Sequence, residues 1–216
     1  MGKVAKFRAV SVLLLPGLFC MPCLAMAAEL IVTVLDQDGV PVPDVAVYLE
    51  SPGSEATTDL TATMDQVDTR FLPHVLIVQK GTLVEFPNSD VIAHHVYSFS
   101  EPNDFMLPLY KGDAHAPVRF EHAGLVTLGC NIHDQMLGYI LIVDSPVFGK
   151  TDTLGQVALD VQAAAGQSIG IWSPRIRQRG EVLTQPVDDN HVEFRLNGKL
   201  RPMSTANSGG VEWTDY

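Results

Sequence analysis

Three residues with metal-binding side chains follow one another at steps of three in the segment "LGCNIHDQMLGYI". Cys130 offers a thiolate, His133 an imidazole and Met136 a thioether. A loop between two adjacent strands can bring residues i, i+3 and i+6 around one ion. Soft sulfur together with imidazole suits copper, and two imidazoles, one thiolate and a weak axial thioether form the ligand set of an electron-transfer copper site. The segment supplies three of these four side chains.

Two other chemistries fit part of the same motif. Structural zinc sites mostly use several Cys or His ligands and no thioether, so Met136 favours copper over zinc. Cys130 and His133 could instead form a nucleophile and its base, but the sequence indicates neither a third group to orient the base nor a substrate cleft. The catalytic thiol is therefore the weaker interpretation.

The missing imidazole is expected from the upstream segment "NSDVIAHHVYSFS", which contains His94 and His95. Neighbouring residues on an extended strand point to opposite faces of the sheet. At most one of the two histidines is therefore expected at the site, and periodicity leaves the choice between them open.

The N-terminal segment has the build of a secretory signal peptide. Three basic residues precede the uncharged stretch "AVSVLLLPGLFCMPCLAMAA", and Ala25-Met26-Ala27 forms a small-residue cleavage motif. We therefore expect residues 1–28 to be a signal peptide and the mature protein to be periplasmic. A retained N-terminal anchor is the alternative, because the stretch is about long enough to span a bilayer.

Removal of this segment leaves a single cysteine and an acidic chain. Cys20 and Cys23 leave with the signal, so Cys130 becomes the only thiol in an oxidising compartment. Exported proteins usually pair their cysteines, so this thiol is a metal ligand, an inert buried group or one half of an intermolecular disulfide. The signal carries three of the 14 basic and none of the 25 acidic residues, which leaves a net charge of −14. Such a charge argues against nucleic acid and favours solubility or a basic protein partner.

The remaining sequence predicts an all-β protein, most simply a β-sandwich. Short runs with β-type patterning, such as "ELIVTVLDQDGVPVPDVAVYLE" and "FLPHVLIVQKGTLVEFPNSD", are separated by Gly and Pro. "VRFEHAGLVTLGC" and "LGYILIVDS" are expected to be strands on either side of the opening motif. The stretch from Glu101 to Pro117 is predicted to be rich in loops. Almost no segment has the 3.6-residue period of an amphipathic helix, and no run beyond the signal is long enough to span a membrane.

These motifs resemble the cupredoxins. In that family a strand ending in Asn precedes the first ligand His, which stands before Asn-Val or Thr-Val, and "FPNSDVIAHHV" matches with His94 as ligand. Cys130, His133 and Met136 match the second ligand cluster, with the short spacing of amicyanin. The resemblance implies a Greek-key β-sandwich that holds one type 1 copper ion through His94, Cys130, His133 and Met136.

A narrower resemblance is to amicyanin-like proteins labelled methylamine utilisation proteins, which combine a cupredoxin core with carboxypeptidase-regulatory-like β segments. "FMLPLY", "GCNIHDQMLGYI" and "VDSPVFGKTD" contribute to this similarity, which is strongest over roughly residues 63–152. It implies a cupredoxin domain at 53–145, regulatory-like β segments at 29–52 and 146–198, and a flexible tail at 199–216. The two β segments either form a discontinuous second domain or one extended β unit with the core.

The family resemblance implies a one-electron carrier that is not an enzyme and exchanges electrons with redox proteins, for example a cytochrome c or a periplasmic dehydrogenase. His133 would be the electron exit route, and Leu137 would contribute to an apolar docking patch. Two rivals are a copper-binding or copper-delivery protein, in which the ion is cargo, and a metal-free β-sandwich that serves as an interaction module.

Overall fold

A computed structural model of the chain describes residues 28–51, 54–112, 115–161, 166–177 and 182–202. This described part contains 17 strands and no helix, which confirms the predicted all-β class. It accordingly has no helix of a length and apolarity suited to crossing a membrane. The expected signal peptide lies outside the described residues apart from Ala28, and so does the expected tail from residue 203 onward.

The strands are short and follow one another closely along the chain. In chain order they are β1 (Ala28–Leu35), β2 (Ala46–Leu49), β3 (Thr61–Thr63), β4 (Asp65–Val67), β5 (Arg70–Leu72), β6 (Val75–Gln79), β7 (Leu83–Glu85), β8 (His94–Ser98), β9 (Phe105–Tyr110), β10 (Val118–Arg119), β11 (Gly124–Gly129), β12 (Leu137–Val143), β13 (Phe148–Lys150), β14 (Gln156–Val161), β15 (Ser168–Trp172), β16 (Leu183–Pro186) and β17 (His191–Arg195).

Strands from the two ends of the described chain form two sheets, which we call the terminal sandwich. One sheet has the order β14-β1-β17 and the other the order β13-β2-β15-β16. Their inward side chains form one core, to which Leu30, Val47, Leu159, Ile169 and Phe194 belong. The two strands expected between residues 29 and 52 are thus present, but they lie in different sheets and do not pair with each other.

The strands in between form the central sandwich, which carries the candidate site. A five-stranded sheet of order β6-β12-β11-β8-β9 faces a three-stranded sheet of order β10-β7-β3, and the hairpin β4-β5 packs beside them. The shared core includes Phe71, Val84, Val96, Leu128 and Ile140. The segments expected to be strands on either side of the Cys130 motif contain β11 and β12, which pair antiparallel, but the first of them also contains β10, which lies in the three-stranded sheet.

The two sandwiches pack on each other through a third apolar cluster. Alternate residues of β12 point to opposite faces, so Ile140 and Ile142 lie in the central core while Leu141 and Val143 lie in the third cluster. Trp172 enters this cluster from the terminal sandwich. The sheet that contains β12 is therefore covered on both faces, which explains why the strand is apolar at almost every position.

One strand was not predicted. The stretch from Glu101 to Pro117 is rich in turns and loops, as expected, but it also contains the six-residue strand β9. This strand lies at the edge of the five-stranded sheet and pairs with β8 alone, so Pro108 removes no hydrogen bond from a central ladder. Met106 and Leu109 point to solvent, so no apolar alternation marks the strand in the sequence.

Candidate metal centre

The loop with the Cys-His-Met motif joins two paired strands. Gly129 pairs with Leu137 at the loop end of the β11-β12 hairpin, so residues 130–136 form the connection. Within it the amide of Met136 donates a hydrogen bond to the carbonyl oxygen of His133 at 2.8 Å. This bond closes a tight turn, which brings side chains at steps of three to one end of the central sandwich.

The two glycines that bracket the loop are required by close packing. A Cβ at Gly129 would lie 2.8 Å from the ring of Tyr97 on β8, and a Cβ at Gly138 would lie 2.7 Å from the Cβ of Phe71 on β5. Real Cβ atoms do not approach other atoms so closely, so a side chain at Gly129 would displace the ring of Tyr97, and one at Gly138 would displace Phe71. The loop is thereby seated between these two elements.

His94 reaches the loop from the start of β8, which is the neighbour of β11 in the sheet. The segment before it is held by Asn88, a buried residue whose Nδ2 donates to the carbonyls of Ile92 at 3.0 Å and Tyr110 at 2.9 Å. The Oδ1 of Asn88 accepts from the amide of Asp90 at 3.0 Å. This side chain therefore fixes the course of the chain that delivers His94.

The structure brings three of the four predicted ligands together. The Sγ of Cys130 lies 3.9 Å from Nδ1 of His94 and 3.8 Å from Nδ1 of His133, and all three atoms lie within 4.8 Å of one another. An ion with metal–sulfur and metal–nitrogen bonds of about 2.3 and 2.0 Å at trigonal angles would separate S and N by about 3.7 Å. The two observed S–N distances therefore fit a three-coordinate metal.

Met136, the fourth predicted ligand, is 1% exposed and belongs to the same core cluster as Cys130, which is 3% exposed. A buried thioether in the same apolar cluster as the thiol suits copper rather than zinc. The donor set of two imidazoles, one thiol and one thioether therefore fits the predicted group. Among the described residues, the thiol of Cys130 forms no disulfide.

His95, the alternative first ligand, lies away from the three-residue cluster. Its ring packs beside that of Tyr97, with centroids 5.8 Å apart, and neither of its nitrogens is in the cluster. His94 is 0% exposed and His95 is only half-buried. Neighbouring residues of β8 thus point to opposite faces, as expected, and His94 is the histidine on the buried face, next to Cys130 and His133.

Asp90 is a site residue that the sequence interpretation missed. Its Oδ2 accepts a hydrogen bond from Nε2 of His94 at 2.9 Å, and its side chain is 9% exposed. The bond to His94 is the main cause of a lowered pKa for this carboxyl group, with amide donors from Thr69 and Val91 adding to it. Its spacing of four residues before a strand histidine carried no signal in the sequence, because strand periodicity does not relate i to i+4.

This carboxylate also changes the argument against a catalytic thiol. The absence of an orienting group was the reason given from the sequence, yet Asp90, His94 and Cys130 stand in the order of acid, base and nucleophile. A nucleophile must still reach a substrate. Cys130 and His94 are both buried, so the physical objection is inaccessibility rather than a missing third group.

Tyr110 anchors the same region from β9. Its hydroxyl donates to the carbonyl oxygen of Phe86 and accepts from Nε2 of Gln66, and its own carbonyl receives Asn88. Burial raises the pKa of Tyr110 to about 12, the nearby charge of Asp65 adds to the rise, and the bond from Gln66 partly opposes it.

This shift predicts a loss of stability at alkaline pH. The unfolded chain ionises this phenol near pH 10 and the folded chain only near 12, so its contribution is complete below pH 10 and falls as pH rises through 12. Tyr110→Phe should flatten this fall. It should also cost about 1–3 kcal/mol at pH 8, because the carbonyl of Phe86 loses its donor. Urea unfolding at pH 8, 10 and 11.5 measures both effects, and parallel pH profiles for the two proteins would contradict the assignment.

No protein-family model matches the chain, and neither does any curated protein. Solved structures that resemble part of it include cupredoxins. A purple cupredoxin from Nitrosopumilus maritimus matches with a TM-score of 0.33 and 19% identity, over 39% of this chain and 99% of that one. A reduced amicyanin mutant matches with a TM-score of 0.36 and 20% identity, over 44% and 97%. A copper-containing nitrite reductase from Thermus scotoductus SA-01 matches with a TM-score of 0.37 and 25% identity, over 50% and 28%.

Proposed function

We propose that the protein is a periplasmic type 1 copper protein and carries single electrons between redox proteins. The observation that carries the proposal is the arrangement of His94, Cys130 and His133, in which Nδ1 of each histidine lies 3.8–3.9 Å from Sγ of Cys130. Met136, which is buried in the same core cluster as Cys130, would supply a thioether. Bound copper would supply reversible one-electron chemistry between Cu(II) and Cu(I).

The protein's own contribution is to hold these side chains in place before and after electron transfer. His94, Cys130 and Met136 are almost completely buried, each on or beside a paired strand. Since the ligands are fixed by the fold, little rearrangement accompanies a change of charge at the site. This rigidity supports electron transfer over copper delivery, because release of a cargo ion would require three buried ligands to be exposed.

Electrons would leave through His133, the least buried of the four proposed ligands. Exposed apolar side chains lie on both segments that carry ligands, namely Val91 and Ile92 before His94, and Ile132 and Leu137 around His133. Such side chains form a suitable contact surface for a redox protein. The acidic mature chain favours a basic partner such as a cytochrome c, whose association would weaken as salt is added.

The proposal is tested by loading the purified protein with Cu(II) and recording its visible spectrum. We expect one equivalent of copper and an intense thiolate-to-copper charge-transfer band, both lost in Cys130→Ala. Circular dichroism of the variant checks that it is folded. Unchanged stoichiometric binding by Cys130→Ala would refute the site.

Carrier and delivery functions are then separated with the loaded protein. A carrier should exchange electrons rapidly with a basic cytochrome c, at a rate that falls as ionic strength rises. A delivery protein should exchange electrons poorly and transfer its copper readily to an apo-protein.

A further inference from the structure

The carboxylate of Asp90 connects a proposed copper ligand to a hairpin that contributes no ligand. Its Oδ2 accepts from Nε2 of His94 at 2.9 Å and from the amide of Thr69 at 2.8 Å, while Oδ1 accepts from the amide of Val91 at 2.7 Å. Both oxygens are therefore engaged, and the side chain is only 9% exposed. The orientation of Asp90 is therefore fixed by its own segment, through Val91 and His94, and by the β4-β5 turn, through Thr69.

An ionised carboxylate accepts hydrogen bonds and donates none. Nε2 of His94 must therefore carry the hydrogen in the bond to Asp90, which leaves the lone pair of Nδ1 free. Nδ1 is the nitrogen that faces Sγ of Cys130 at 3.9 Å. The contact with Asp90 thus selects the tautomer of His94 that can bind a metal at this site.

Thr69 holds Asp90 through an uncommon backbone conformation. Asp68 and Thr69 form the turn between β4 and β5, with φ values of 49° and 59°. A β-branched residue rarely adopts such positive angles, and conformations of this kind are retained where the surrounding structure requires them. Here the turn directs the amide of Thr69 at Asp90.

The same hairpin also contacts the other ligand loop. Phe71 on β5 is fully buried and lies against Gly138, two residues after Met136. The β4-β5 hairpin therefore supports both segments from which the proposed ligands come: one through the Thr69–Asp90–His94 contacts, the other through Phe71. Its position sets their separation.

We propose that Asp90, held by the Asp68–Thr69 turn, is a positioning residue that fixes the tautomer of His94 and favours Cu(II) over Cu(I) at the site. A carboxylate that accepts the outer N–H of a metal-bound imidazole makes that ligand more basic. A more basic ligand stabilises the higher charge of Cu(II) more than that of Cu(I), so Asp90 lowers the reduction potential. The effect on potential depends on the copper function proposed above, whereas the tautomer of His94 does not.

The deciding variant is Asp90→Asn, which keeps the size of the side chain and removes its charge. Its amide nitrogen must face either Nε2–H of His94 or the amide of Val91, where a donor meets a donor. We expect Cu(II) affinity to fall 10- to 100-fold. The reduction potential should rise by about 59 mV for each tenfold by which the loss for Cu(II) exceeds the loss for Cu(I). Asp90→Glu keeps a carboxylate, so its reduction potential should lie closer to that of the unmodified protein than the potential of Asp90→Asn does.

Asp68→Asn is the matched control. It removes the same charge from the turn that holds Asp90. The side chain of Asp68, however, is 76% exposed and pairs with Arg70 rather than with His94. Asparagine also tolerates the positive φ of this position. Affinity and potential should stay within twofold and a few millivolts of the unmodified protein, and an Asp90→Asn variant that behaves like this control would overturn the proposal.

Nitrogen-15 NMR of the metal-free protein tests the tautomer without copper. His94 should carry its hydrogen on Nε2 and exchange it slowly, and this signal should be lost or redistributed in Asp90→Asn. A hydrogen on Nδ1 in the unmodified protein would overturn the role of Asp90 even if copper binds. Failure of the unmodified protein to bind copper would instead refute the copper function while leaving the tautomer result decisive for Asp90.

Discussion

Replacing His94 with glycine is expected to abolish tight copper binding both with and without added imidazole. Replacing His133 with glycine is also expected to abolish it, but added imidazole should restore it. His94 is 0% exposed, so a free imidazole cannot enter the space that its side chain leaves. His133 is only partly buried, at the end of the sandwich. An imidazole from solution can reach its place.

The measurement is a copper titration of each variant with and without about 10 mM imidazole, followed through the charge-transfer band. His94→Gly should show weak binding in both conditions. His133→Gly should regain the band as imidazole is added. His95→Gly is the control, since this histidine lies outside the cluster, and it should bind copper like the unmodified protein. Loss of the band in His95→Gly with retention in His94→Gly would overturn the assignment of the first ligand.

Replacement of Trp172 by alanine is expected to destabilise the whole described structure by about 3–5 kcal/mol. Trp172 is 4% exposed and lies in the cluster between the two sandwiches, where its ring packs on Tyr139 with centroids 5.4 Å apart. Tyr139 belongs to β12, the strand that follows Met136. Loss of this contact should therefore destabilise the terminal sandwich and also weaken the support of the loop at residues 130–136.

Guanidinium unfolding followed by far-ultraviolet circular dichroism measures the change. Leu154→Ala is the control, because this large apolar side chain of the terminal half is 64% exposed and should change stability by no more than about 0.5 kcal/mol. We expect one transition that moves to lower denaturant in Trp172→Ala. Separate transitions, of which only one moves, would show that the third apolar cluster does not couple the sandwiches.

The sequence predicted the class and the metal motif because both depend on local patterns. Strand lengths, turn residues and the lack of helical periodicity identify the all-β class, and Cys130, His133 and Met136 are close in sequence. The family resemblance added His94, which lies on the buried face of β8 together with Val96 and Ser98. The ligand assignment itself stays a prediction until copper is bound.

Contacts between distant segments were beyond the reach of the sequence. The role of Asp90 depends on the amide of Thr69, which another hairpin delivers, and no property of either residue type indicates this. The strand β9 was missed because its pairing with β8, rather than its own composition, maintains it. In contrast, the almost continuous apolar run of β12 did contain the information that both of its faces are covered.

We further propose that the two terminal segments form a discontinuous domain into which the central sandwich is inserted. Strands from both segments pair in each sheet of the terminal sandwich, as β1 does with β14 and β2 with β13. Their relation to regulatory-like sandwiches and the boundaries at residues 53 and 145 remain predictions from the sequence. Expression of residues 53–145 alone tests the boundaries. In this fragment Leu141 and Val143 would lose their contacts with the terminal sandwich, and the apolar surface that they expose should promote association.

The chain leaves the terminal sandwich and returns to it at nearly the same point, because the amide of Leu49 donates to the carbonyl of Val147 at 3.0 Å. All strands of the central sandwich, β3 to β12, lie between these two residues. Closing so long a loop in a disordered chain is entropically unfavourable, but a folded insert that already holds its ends together removes most of that cost. Pairing of β2 with β13 then behaves as a short-range contact, so the terminal sheets should assemble quickly once the central sandwich has folded, and slowly before.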